Sequence, residues 1–64
     1  MIEVKKGDVW TDGNRIFHVL GVTSLTVVYE DCYETDIVTR LGSRIQWEVD
    51  SANGQHWKIG KGEK

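Results

Sequence analysis

Two histidines and one cysteine are the side chains of this sequence that could bind a transition metal or act as a nucleophile with its base. The separations between His18, Cys32 and His56 match none of the paired spacings that hold zinc. Cys32 also lies close to Asp31 and Glu34, and neighbouring carboxylates oppose formation of a thiolate. We therefore predict no metal, no cofactor and no Cys–His pair, with His18 packed in the core and His56 facing solvent.

A run of carboxylates is the second candidate for chemistry. Glu30, Asp31, Glu34 and Asp36 lie close together with no basic residue among them. They could bind a hard cation or perform acid–base work, but the glycine that a calcium loop needs for its sharp turn is missing. We interpret the run as a solvated loop that protects a sheet edge, and we predict that the protein is not an enzyme.

Aromatic residues are the third group, with three Trp, two Tyr and one Phe. Cross-strand packing in the core is the prediction for Trp47 and Trp57. Trp10 and Tyr33 are candidates for exposed anchors of a protein interface, or for stacking on single-stranded nucleic acid. The nucleic-acid alternative would combine stacking on Trp57 with a basic strip. That strip comprises Arg40, Arg44, Lys58 and Lys61.

Two turn signals indicate how these side chains are positioned. Val, Ile and Thr recur along the chain and favour strands over helices. Asp12-Gly13 predicts a two-residue type I′ turn, because both of its central positions need a positive φ. Asn53-Gly54 repeats this signal and predicts a second hairpin.

Hydrophobic patterns predict the strands between and around these turns. In segments 15–22 and 25–31, apolar residues occupy both odd and even positions, which is typical of central strands buried on two faces. Thr23-Ser24 is the predicted turn between them. A shorter strand is predicted over 35–40. In 44–50 the apolar residues alternate with polar ones, which indicates a strand with one wet face, continued over 56–59.

The middle of the chain has an alternative. Tyr29, Tyr33, Ile37 and Leu41 recur every fourth residue, a spacing that suits a helix over 30–41. The residues within that segment are mediocre helix formers, so a loop plus strand, with one helical turn near 31–34, is favoured.

The chain of 64 residues has room for one small domain, predicted over 1–60, with a polar tail over 61–64. Five or six sequential antiparallel strands with tight hairpins would curl into a small barrel, because closure hides the edges. A formal charge of −2 is not typical of a duplex-DNA binder. The single cysteine and the absence of a long apolar run predict a cytoplasmic protein with no membrane segment.

Several short motifs carry a family resemblance. They are Lys6-Gly7-Asp8-Val9-Trp10, Phe17–Val22, Val27–Asp31 and Val38–Leu41. Over roughly residues 5–41 the chain resembles small, mostly uncharacterised SH3-like barrel proteins of bacteria and prophages. The resemblance implies an SH3-like barrel and a bacterial or phage setting, and it carries no catalytic residues. The second turn, with its two tryptophans, departs from that pattern.

The function predicted from these observations is a non-enzymatic module that binds another protein, as a phage or prophage accessory factor acting on a host protein. Trp10, Tyr33 and Trp57 are the predicted anchors. The rim charges are Arg40, Arg44, Glu30 and Asp31. Self-association is a further possibility for so small a domain. The alternative is an SH3-like barrel that binds single-stranded RNA or DNA.

Overall fold

A computed structural model describes residues 4–61 of the chain. It contains five strands and one helix: β1 (Asp8–Thr11), β2 (Ile16–Val22), β3 (Thr26–Tyr33), β4 (Asp36–Ser43), α1 (Arg44–Ala52) and β5 (Trp57–Lys61). The predicted class, a small β domain of antiparallel strands with tight hairpins, is confirmed. Lys61 ends β5, and the rest of the predicted tail lies outside the described residues.

The strands form one open antiparallel sheet in the order β4-β3-β2-β1-β5. Consecutive strands from β1 to β4 are neighbours, and β5 returns to pair with β1. Register irregularities between Val9 and Trp10 and between Val19 and Gly21 interrupt the ladders. Such irregularities bend a sheet and increase its twist. Helix α1 packs against β3 and β4 on one face, which we call the inner face.

The first hairpin lies where Asp12-Gly13 predicts it, but the turn type is different. Thr11 pairs with Ile16, so four residues form the loop, and Gly13 (φ 101°) has a positive φ whereas Asp12 does not. The Asp12 carboxylate accepts hydrogen bonds from the amides of Asn14 and Arg15, at 2.9 Å each. These bonds stabilise a wider loop than a type I′ turn.

The prediction of a strand over 44–50 is wrong, because residues Arg44–Ala52 form α1. Ser43 caps the helix by accepting a hydrogen bond from the amide of Gln46 at 3.2 Å. Asn53 is the C-cap, and Gly54 follows with a φ of 78°. The Asn53-Gly54 signal therefore marks the end of a helix rather than a hairpin.

The alternative helix over 30–41 is also wrong. Those residues form the end of β3 and most of β4, and the two strands are joined by a tight turn at Glu34 and Thr35. The predicted strand over 35–40 lies within β4 apart from its first residue. No helical turn forms near 31–34, where β3 extends to Tyr33.

The core lies between the inner face and α1. Its buried apolar residues are Val4, Trp10, Phe17, Val19, Val27 and Trp47, with Val22 and Tyr29 packed against them. Trp47 contributes the helix side of this core, and its ring centroid lies 5.7 Å from that of Trp10. Trp47 lies in the core as predicted, but it packs there from α1 and not across two strands.

The opposite, outer face of the sheet is open, which corrects the prediction that the central strands are buried on both faces. Its exposed apolar side chains include Ile16 and Leu20 of β2, and Leu25 in the β2–β3 turn is exposed as well. Trp57, predicted to be in the core, is 47% exposed on β5. One helix cannot cover two faces of a five-stranded sheet.

Both histidine predictions are wrong. His18 alternates with the buried Phe17 and Val19, so it lies on the outer face, where its Nδ1 is 3.6 Å from Glu30 Oε1. His56 is buried, and its Nε2 lies 3.0 Å from the carbonyl oxygen of Trp47. The two imidazoles are therefore on different sides of the sheet.

Within residues 4–61, the structure has no helix with the length and apolar character required to cross a membrane.

Candidate functional site

The inner face carries a cleft of about 330 Å³ beside α1. The helix covers only part of this face, and the cleft lies between the helix, the β1–β2 loop and the turn before β5. Its lining residues are Asp12, Phe17, Tyr29, Gly42, Ser43, Gln46, Trp47, Asp50, Gln55 and His56. Gly42 faces Tyr29, where a Cβ would lie 3.4 Å from the ring.

Aromatic rings form the floor of the cleft. Trp47 lies at their centre, with ring centroids 4.9 Å from Tyr29, 4.6 Å from His56 and 5.8 Å from Phe17. The Tyr29 and Phe17 contacts have the steep interplanar angles that aromatic pairs favour. The hydrogen bond between His56 and the Trp47 carbonyl holds the turn before β5 against the helix. The floor is therefore built from packed aromatic rings, most of whose surface is buried.

The rim of the cleft carries two carboxylates. Asp50, one turn beyond Gln46 on α1, accepts a hydrogen bond from Gln46 Nε2 at 2.8 Å. Across the cleft, the amides of Asn14 and Arg15 donate to Asp12 and lower the pKa of its carboxyl group. Among residues 4–61, no lysine or arginine lines this cleft, so Asp12 and Asp50 give its rim negative charge.

A second, smaller pocket of about 140 Å³ lies further along the inner face, between β2, β3 and β4. At its base Asp31 is 6% exposed, and its Oδ2 accepts hydrogen bonds from Arg15 Nη1 at 2.8 Å and from Arg40 Nε at 2.9 Å. The Arg15 guanidinium also lies 5.0 Å from the centroid of the Tyr33 ring. Two partly exposed guanidinium groups are thus held in place by one buried carboxylate.

The two pockets adjoin each other. Phe17 and Tyr29, from the first, are the cross-strand neighbours of Asp31 and Arg40, from the second. Burial raises the pKa of the Tyr29 hydroxyl, and the negative charge of Asp31 adds to the effect. We call the two pockets together the concave groove.

The structure brings three of the predicted protein-binding residues into the concave groove: Asp31, Arg40 and Tyr33, which is 43% exposed. Trp10 is 1% exposed and lies in the core, so it presents no surface to a partner. Glu30 and Trp57 are on the outer face.

The basic strip is not assembled as a unit. Arg40 pairs with Asp31, whereas Arg44 lies at the start of α1, with its Nε 3.4 Å from Glu48 Oε2. Lys58 lies on β5, at the other edge of the sheet from β4, and its Nζ is 3.4 Å from Asp8 Oδ1. Lys61 follows on the same strand.

Sequence reasoning missed Phe17, Tyr29, His56 and Asp50 as lining residues of a cleft. Their position depends on α1, and the signals for α1 were present: a serine at the N-cap and side chains that bond four residues apart. A strand over the same residues would extend the sheet, and it would form no wall of a cleft.

The concave groove is described by the groups that line it. In the described part of the chain, no cluster of three or more His, Cys, Asp or Glu side chains could hold a metal ion. His56, the imidazole nearest the cleft, is buried and bonded to a backbone carbonyl. The groove offers an apolar floor, an acidic rim and two anchored guanidinium groups.

Comparisons of the chain with protein-family models, with curated proteins and with solved structures find no match.

Proposed function

We propose that the chain is a non-enzymatic binding module that holds a basic segment of another protein in the concave groove. The observation that carries this proposal is the cleft beside α1, with an aromatic floor and with Asp12 and Asp50 on its rim. A concave site that combines aromatic rings with a few polar groups is the usual form of a binding site.

A lysine or arginine side chain fits this arrangement of groups. Its alkyl stem would pack against Tyr29 and Trp47, while its charged end reaches the carboxylates of the rim. The overall charge of −2 also favours the approach of a basic partner, through long-range attraction.

The second pocket supplies polar contacts to the same segment. Arg40 uses its Nε for Asp31, and its Nη groups have no hydrogen bond to any residue of 4–61. Guanidinium donors of this kind can bind the carbonyl groups of an extended chain. Anchoring by Asp31 reduces the side-chain entropy lost on binding.

The setting that we propose is bacterial or phage, with the chain acting as an accessory factor on a host protein. The resemblance of residues 5–41 to small SH3-like proteins of bacteria and prophages supports this part of the proposal. We also propose that the five strands have an SH3-like arrangement.

A peptide titration tests the proposal. Two peptides of equal length, one with alternating Arg and Leu and one with alternating Glu and Leu, are titrated while amide and indole NMR shifts are recorded. We expect the basic peptide to bind, with the largest shifts at Tyr29, Trp47 and Asp50, and the acidic peptide to cause none.

Two charge-neutralising variants on the same helix provide the matched comparison. Asp50→Asn removes a rim carboxylate and should weaken binding of the basic peptide by about tenfold, since a charge-assisted contact is lost. Glu48→Gln removes a carboxylate that pairs with Arg44 outside the groove, and it should leave the affinity within about twofold. Equal losses in both variants, or equal binding of the two peptides, would contradict the proposed groove.

A further inference from the structure

The outer edge of β4 is the least protected part of the sheet. Across residues 4–61, the backbone of β4 pairs with β3 alone. The strand is eight residues long, and it exposes Ile37 (64%), Val38 (46%) and Leu41 (70%). A long apolar edge with unpaired backbone groups is a template for pairing with another strand.

The opposite edge, β5, differs in the features that discourage pairing. It has five residues, among them Gly60 and the lysines Lys58 and Lys61. Short length and lysine residues are the usual means by which an edge strand is blunted. Strand β4 contains neither lysine nor proline, so intermolecular pairing is expected at β4 rather than at β5.

The sequence of β4 is complementary to itself when two copies run antiparallel. With a two-fold axis through Val38, each Asp36 lies opposite Arg40 of the other copy, and the two Val38 side chains face each other. All three residues line the second pocket, so they share the inner face of the sheet. Opposite charges placed directly across two strands stabilise their pairing.

The groups that would form these intermolecular pairs are available. Asp36 has no ion pair or side-chain hydrogen bond to any other residue of 4–61, and the Arg40 Nη groups are equally unoccupied. Shifting the axis to Thr39 places Arg40 opposite Val38 and brings the two Arg40 residues onto a diagonal. Charge therefore selects the register centred on Val38.

From this complementarity we infer that β4 is a self-association surface, through which two copies of the chain pair edge to edge about Val38. The resulting sheet is continuous through both copies, and the second pockets of the two grooves meet at the two-fold axis. The two proposals share Arg40 but are tested separately, because this inference rests on the edge of β4 and the peptide proposal rests on the cleft beside α1.

Disulfide trapping tests the register. In a Cys32→Ser background, Val38→Cys places two thiols directly opposite each other in the dimer, within the range that a disulfide spans. Thr39→Cys, the matched control on the same strand, places its two thiols on a diagonal. Under mild oxidation we expect covalent dimers of Val38→Cys to form at least about tenfold faster than those of Thr39→Cys.

Sedimentation equilibrium tests the association itself. We expect the unmodified chain to change from the mass of one chain to that of two as its concentration rises. Asp36→Arg places a positive charge directly opposite Arg40 of the other copy, and it should raise the dimer dissociation constant by about tenfold. Glu30→Arg makes the same charge change on the outer face of β3, away from the edge, and should change that constant by less than about threefold.

Three results of these experiments would overturn the inference. They are a single-chain mass at all concentrations up to about 1 mM, cross-linking of Thr39→Cys as fast as that of Val38→Cys, and equal effects of the two arginine variants. Protection of the β4 amides from hydrogen exchange only after a different protein is added would also overturn it, since the edge would then serve that partner.

Discussion

At the scale of single residues, Trp47 and Trp57 show how little the residue type says about its energetic role. Trp47 is 6% exposed and contacts Trp10, Phe17 and Tyr29, whereas Trp57 is 47% exposed on the outer face. The free energy of burying apolar surface scales with the area removed from water, so the two indoles contribute unequally to stability.

Substitution of each tryptophan by alanine measures this difference. We expect Trp47→Ala to lower the free energy of unfolding by about 3–5 kcal/mol, because it removes the helix side of the core and leaves a cavity. Trp57→Ala should cost less than about 1 kcal/mol, since much of its ring is already in water. Urea denaturation followed by circular dichroism gives both values, and similar losses in the two variants would contradict the placement of Trp47.

Tyr29 makes the stability of the fold sensitive to alkaline pH. Burial raises its pKa above the ordinary value of 10.0, so the folded protein retains the phenolic proton more tightly than the unfolded chain. This contribution to stability is complete below pH 10.0 and is lost as the pH rises through the raised value.

The expected result is a fall in the free energy of unfolding above pH 10.0 that is smaller in Tyr29→Phe, which has no phenolic proton. Denaturant titrations of both proteins at a series of alkaline pH values measure it. An identical pH dependence in the two proteins would mean that Tyr29 ionises equally in the folded and unfolded states.

At the scale of elements, α1 is held by its N-cap as well as by Trp47. The Ser43 hydroxyl oxygen accepts the amide proton of Gln46, one of the donors that the first turn of a helix leaves without an intrahelical acceptor. The i, i+4 contacts Arg44–Glu48 and Gln46–Asp50 add smaller contributions on the exposed side.

Removal of the cap should therefore be measurable. Ser43→Ala is expected to lower the free energy of unfolding by about 1 kcal/mol, because one amide loses its acceptor. Ser24→Ala, in the β2–β3 turn, is the control, since the Ser24 side chain has no hydrogen bond to the described residues, and its effect should stay within about 0.5 kcal/mol. A loss of the same size in the control would show that hydroxyl removal, and not capping, is responsible.

At the scale of the whole molecule, the distribution of charge underlies a prediction about nucleic acid as a partner. Arg40, Arg44 and Lys58 each pair with a carboxylate of the same chain, and they lie on β4, on α1 and on β5. Phosphate binding would have to compete with those carboxylates at each position, within a domain whose net charge is −2.

We therefore expect no binding of single-stranded RNA or DNA that strengthens as salt is lowered. A labelled oligonucleotide titrated by fluorescence anisotropy at two salt concentrations provides the measurement. Tight binding at low salt that weakens steeply with added salt would favour the nucleic-acid alternative. Loss of that binding in Lys58→Gln, with Glu48→Gln as the control, would then place the nucleic-acid site at Lys58.

The sequence by itself determined the elements that depend on local chemistry. The excess of β-branched residues indicated strands, and Asp12-Gly13 located the first hairpin, because a glycine there adopts a φ that other residues avoid. The strand over 35–40 followed from the poor helix propensity of its residues. Tyr33, Asp31 and Arg40 were singled out by type, and they lie together in the concave groove.

The local signals of 44–52 conflict, since its apolar alternation suits a strand and its N-cap serine suits a helix. Tertiary structure decided between the two, and it alone decided which faces of the sheet are covered. Ile45, Trp47 and Val49 alternate as in a strand, but Trp47 alone is buried, and the helix directs it onto rings from β1, β2 and β3. Those contacts join residues far apart in the sequence, so no local pattern records them. The burial of His56 and the exposure of His18 follow from the same packing, because a single helix covers only one face of the sheet.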